Sequence, residues 1–149
     1  MAATNHIRLI CVGKVKETYL RDGIADFSKR LSPYTKLDII EVRDAGMEQE
    51  AEKIIAHLRS GDYTIALCVD GKQYASMELA KLITDTTARM QNITFIIGGA
   101  DGLSSRVVGK AHLKLSLSPM TFTHEMCRLF LLEQIYRAFT IIKGRPYHR

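Results

Sequence analysis

The chain alternates short apolar runs with stretches in which apolar residues recur every three or four positions, the two periods that distinguish strands from amphipathic helices. HIRLICVG at 6–13 predicts a first strand. Leu20, Ile24, Phe27 and Leu31 stripe a helix over 18–31 that Pro33 stops. KLDIIEV at 36–42 is a second strand, and Ala51, Ile54, Ile55 and Leu58 line the inner face of a second helix over 47–59. Glu48, Glu50 and Glu52 near its start and Lys53, His57 and Arg59 near its end follow the order a helix dipole favours, so these charges need no functional explanation. YTIALCV at 63–69 is a third strand. It is expected to end in a turn at Asp70, Gly71 and Lys72, with Ser76 capping a helix to about Met90.

The centre of the chain is NITFIIGGADGLSS at 92–105. Ile93, Phe95, Ile96 and Ile97 are nearly unbroken by polar residues, as in a parallel strand buried on both faces. Gly98, Gly99 and Gly102 then let the backbone turn sharply or approach a ligand closely, which suits a binding loop and a plain strand-to-helix turn alike. Ser104 or Ser105 can cap a short helix to about Ala111, before a fifth strand over 112–117, a loop over 118–123 and a last helix from His124 to about Lys143. Five strands alternating with five helices predict an α/β fold, a parallel sheet flanked by helices, as a single domain over 1–149. Between Met126 and Ile142 the apolar residues of the last helix spread around most of its circumference. One core-facing stripe does not require this, so a homodimer is expected.

Bulk properties narrow the function. No apolar run approaches the roughly 20 residues of a membrane span, and MAATNHIR lacks the apolar core of a signal peptide; a cytoplasmic location is expected. Cys11, Cys68 and Cys127 are far apart in apolar runs, which points to reduced thiols rather than a disulfide or metal site. The net charge of +5 is uneven: residues 103–149 hold eight Lys or Arg against two acids, whereas the first 102 carry a net −1. Such a gradient suits a polyanionic partner such as nucleic acid, or a solvated basic face.

In a parallel sheet the loops after strands three, four and five share one edge, so 67–72, 98–102 and 117–122 can converge on one ligand. LSLSPMTF offers small polar groups with Leu117, Met120 and Phe122, a setting for a flat heteroaromatic ring. No metal-ligand spacing, P-loop or nucleophile elbow is present. GxGxxG is missing after the first strand, which disfavours a dinucleotide-dependent oxidoreductase.

FIIGGADG and LSLSPMTFTHEMCRLFLLEQIYRAFTIIKGRPYHR resemble the small SPOUT-class methyltransferases that modify N3 of a pseudouridine in 23S rRNA. The similarity spans essentially the whole chain; LEQIYRAF with a terminal PYHR is its most specific part. The resemblance implies a C-terminal trefoil knot, a homodimer, S-adenosyl-L-methionine as methyl donor and 23S rRNA, on the assembled ribosome, as substrate. It implies cofactor contacts at Leu67, Gly98, Leu117, Ser118, Pro119, Met120, Thr121 and Phe122. It also implies Arg137, Tyr147 and His148 at the transfer site, with His124, Arg145 and Arg149 toward the substrate. Cys68 stands where the family often has an acid, and Pro119 where it often has a lysine. A neutral histidine can take the N3 proton near pH 7, so His148 is a candidate general base, while Arg137 or Arg149 could instead stabilise the deprotonated imide. His124 could equally be a helix-capping residue and Arg137 an ion-pair partner of Glu133. The competing reading is a non-catalytic RNA-binding or ribosome-assembly factor on the same fold.

Overall fold

In a computed structural model, which describes residues 6–149, the apolar runs form a five-stranded sheet. The chain runs β1 (His6–Val12), α1 (Thr18–Leu31), β2 (Lys36–Val42), α2 (Met47–His57), β3 (Tyr63–Gln73), α3 (Ser76–Ala88), β4 (Ile93–Ile97), α4 (Ser105–Lys110), β5 (Leu113–Ser116) and α5 (His124–Ile142). The residues before His6, to which the sequence assigns no role, lie outside the described region. Strand order is β2-β1-β4-β3-β5, and every pairing is parallel.

Alternation along the central strands divides the core into two layers. Ile7, Leu9 and Cys11 of β1 join Phe95 and Ile97 of β4 on the side covered by α1, α3 and α5. Ile10, Val12 and Ile96 face α2 and α4. All five β4 residues are buried, as the sequence predicts for a strand with helices on both sides. Each large aliphatic side chain so buried contributes about 1.5–3 kcal/mol.

Helix α5 lies between α1 and α3 against this core, so much of its broad apolar circumference is covered within the chain. Its start reaches β1: a Cβ on Gly13 would lie 3.4 Å from His124 Nε2. The segment from Ser116 to His124 therefore carries the chain from edge strand β5 back to β1, across the carboxyl ends of β3 and β4.

Two expectations need correction. The turn at 70–72 is a bulge inside β3: Leu67 and Lys72 both pair with Leu115, and the strand continues to Gln73. Glycine is required at 71, since a Cβ there would meet the Lys114 backbone at 2.8 Å. Ser76 is the first residue of α3 rather than its cap. Glu78 reaches back to accept the Ala75 N–H at 2.7 Å, leaving Ser76 Oγ to donate to Gln134 Oε1 at 2.7 Å. Ser104 does cap α4, accepting from Val107 N–H. The acids of α2 have structural work: buried Glu50 accepts the N–H groups of Ala45 and Gly46, while Glu48 and Glu52 pair with Arg106 of α4.

Candidate active site

The three loops do converge. A cleft of about 1040 Å³ opens over the carboxyl ends of β3, β4 and β5, lined by Leu67 to Asp70, by Ile97 to Leu103, and by much of 117–125. Leu67, Gly98, Leu117, Ser118, Met120, Thr121, Phe122 and His124 all face it; Pro119 does not.

Each wall is built locally. The glycine loop closes on itself through Gly102 N–H to Gly99 O at 3.0 Å. A Cβ on Gly98 would sit 2.7 Å from the Gly102 carbonyl carbon, and Gly102 has φ +79°. The glycines are thus needed for loop closure before any ligand is considered. In the third loop Ser116 Oγ donates to Ser118 O at 2.9 Å, and Ser118 Oγ accepts the Met120 N–H at 3.0 Å. Phe122 stands edge-on to Phe130 at 5.0 Å, and Thr123 caps α5 by accepting the Met126 N–H. These bonds shape an apolar shelf without consuming all of its main-chain groups.

Lys114, Glu125 and Cys127 line the cleft outside the three loops named from sequence, and Asp70 and Asp101 inside those loops carry charges to which the sequence assigned no role. Asp70 and Lys114 form an exposed ion pair at 3.0 Å, which holds the Asp70 carboxyl below and the Lys114 ammonium above their ordinary values. The available signal was position alone: Glu125 and Cys127 adjoin His124 in the first turn of α5.

Arg137, Tyr147 and His148 are brought together elsewhere, around Glu133. Its carboxylate accepts from Arg137 Nη2 and from the Tyr147 hydroxyl, each at 2.7 Å. Arg137 Nη1 lies 3.2 Å from His148 Nδ1, and its guanidinium lies over the Tyr147 ring. Tyr136 meets the same ring edge-on. Burial, then Glu133, pushes the Tyr147 phenol up; the hydrogen bond that Arg137 donates to Glu133 raises Arg137. The ion pair with Glu133 is therefore real, and it organises the cluster. None of the three lines the cleft, and 13 residues of helix at 1.5 Å each put Arg137 about 20 Å along α5 from His124. Arg145 and Arg149 are exposed beyond the end of this helix.

Among the described residues, no group of three or more His, Cys, Asp or Glu could hold a metal, and no helix is long and apolar enough to cross a membrane. All three cysteines are free.

A parallel sheet with a glycine-walled cleft over its carboxyl ends defines an α/β protein whose cleft lies where open sheets of this kind place their ligand sites. Residues 5–148 match the family model described as predicted SPOUT methyltransferase. The chain belongs to the SPOUT methyltransferase family. It is 48% identical to the ribosomal RNA large subunit methyltransferase H of Streptococcus uberis, over 96% of this chain and 99% of that protein. It is 46% identical to the protein of the same name in Clostridioides difficile, over 97% and 99%. The crystal structure of a probable methyltransferase from Bordetella pertussis Tohama I shares the fold, with a TM-score of 0.56 at 10% identity, covering 91% of this chain and 95% of that one.

Proposed function

We propose that this protein transfers the methyl group of S-adenosyl-L-methionine to N3 of a pseudouridine in 23S rRNA on the assembled ribosome. The observation that carries the reading is the convergence of the three loops on one cleft, in a chain whose relatives are named for rRNA methylation. The donor set fits the cofactor: Leu67, Leu117, Met120 and Phe122 offer apolar contact for a purine, while the glycine loop and 117–122 offer main-chain groups. Bound there, the cofactor supplies an electrophilic methyl group on a sulfonium.

The chain's own task is orientation, which lowers the barrier of a well-aligned bimolecular step by about 7–11 kcal/mol. The imide proton must leave N3. Nδ1 of His148 faces an Arg137 N–H and must accept it, because arginine only donates. A neutral ring then carries its proton on Nε2. To act as the base His148 would give up this contact and take the imide proton on Nδ1; in the arrangement seen, His148 and Arg137 are placed as donors for the deprotonated imide. Tyr147 holds the cluster on α5 through Glu133. His124 faces the donor cleft, and exposed Arg145 and Arg149 meet the RNA.

The separation of cleft and cluster within one chain supports a two-fold homodimer in which one protomer's carboxyl terminus serves its partner's cleft. The return of the chain across β3 and β4 supports the trefoil knot implied by the resemblance. A cytoplasmic protein with basic charge toward its carboxyl terminus suits a ribosomal substrate. The test is transfer of labelled methyl to ribosomes lacking this modification, beside free subunits and naked rRNA, with nucleoside mapping. Label on N3 of a pseudouridine is expected; cofactor binding without transfer to any RNA would favour the assembly-factor reading.

A further inference from the structure

The start of α5 forms a wall of the cleft, and the apolar side chains there, Met126, Cys127 and Leu129, pack against the core while only partly buried. His124, Glu125, Met126 and Cys127 are only partly buried, and Arg128 is the first side chain of the helix to be buried, at 3% exposure. Polar contacts add a directional hold on this end. Arg128 Nη1 donates to Glu41 Oε2 of β2 at 2.6 Å, and Nη2 donates to the Gly13 carbonyl at 3.1 Å. Glu125 Oε1 accepts the Lys16 N–H at 2.8 Å and, at 3.5 Å, that of Glu17 at the start of α1. The His124 ring approaches Gly13 from the same side. These contacts tie the first turns of α5 to the end of β1, to β2 and to the segment that enters α1.

Resting on the reading of the cleft as the cofactor site, we propose that Arg128, held by Glu41, is the positioning residue of that site. By fixing the first turn of α5 to β1 and β2, it sets where Phe122, Thr123 and His124 stand across from the glycine loop. Arg128 does not line the cleft. Burying its charge costs free energy that two acceptors offset, and its Nε lacks a hydrogen-bond partner. A hydrophobic residue could fill the volume, but it could not grip Gly13 and Glu41 together. The bidentate reach is what locates the turn.

The test compares wild type with Arg128→Met, Arg128→Lys and Glu41→Gln, using S-adenosylhomocysteine binding by calorimetry well below each melting temperature. Methyl-transfer kinetics at saturating RNA complete the set. Arg128→Met is expected to weaken binding about tenfold or more, since small displacements of positioning groups have large effects. Arg128→Lys should retain part of the affinity through one acceptor. Glu41→Gln, at a half-exposed position that tolerates the change, should weaken binding about threefold. KM for the methyl donor should rise more than kcat falls. Variants that melt lower but bind with wild-type affinity and full stoichiometry would overturn the proposal. If Arg128→Met does not fold, unchanged affinity in Glu41→Gln overturns it. Wild type failing to bind S-adenosylhomocysteine would instead remove the cofactor reading itself.

Discussion

Cys68 and Cys127 line the cleft, whereas Cys11 lies in the core beneath it. The reactive species is the thiolate, and burial pushes Cys11 up to about 12. Burial also raises the two cleft thiols, which keep partial access to solvent. With iodoacetamide at pH 8.5, peptide mapping should find slow modification of Cys68 and Cys127, and of Cys11 only after unfolding. Saturating S-adenosylhomocysteine should slow the first two; unchanged rates would move the cofactor out of this cleft. Glu125 gives a pH signature. The N–H of Lys16 holds its carboxyl below the ordinary range, so the folded state favours the charged form. Its stabilising effect is fully present above the unfolded value of about 4.3 and is lost as pH falls through the lowered folded value. Glu125→Gln should therefore flatten the acid limb of stability against pH, measured by denaturant titration between pH 6 and 3. An unaltered slope would show that this carboxylate is not held in the folded state.

At the level of elements, the glycines separate into those the fold requires and those it merely contains. Gly98→Ala drives a methyl group into the Gly102 backbone, which cannot swing aside as a side chain can. A loss of about 1–3 kcal/mol is expected from overpacking of this kind, with weaker cofactor binding. Gly109→Ala is the contrast. It lies in α4 with nothing within 4 Å of the added carbon, so alanine should be neutral or gain up to about 1 kcal/mol from helix preference. Melting curves of the two variants check both signs. The same distinction explains what periodicity recovered. Strands and helices were legible because each buries a face with its own spacing, as Leu20, Ile24 and Leu31 do in α1. The β3 bulge was not, because Asp70-Gly71-Lys72 has turn chemistry and only pairing with β5 keeps it in the sheet. Ser76 has cap chemistry as well, but a partner on α5, 58 residues away, takes its hydroxyl.

For the whole molecule, the decisive fact is the distance along α5 between His124 in the cleft and the cluster around Glu133. If partner chains complete each other's sites, two inactive variants should complement. Leu117→Arg would block the cleft, and His148→Ala would remove the imidazole. Co-expressed and randomly paired, they should regain about one quarter of wild-type methyl transfer, because half the dimers carry one intact composite site. Activity no greater than that of either variant alone would place cleft and cluster in the same chain. From its sequence, the protein's α/β class, its glycine loop and its family resemblance were readable, because local spacing and motif residues carry them. The strand order, the passage from β5 across to β1, the anchoring of α5 by Arg128 and the gathering of Arg137, Tyr147 and His148 around Glu133 belong to the tertiary structure. The anchor of α5 joins residues 87 and 115 positions apart, and no local pattern encodes which distant groups close packing will bring face to face.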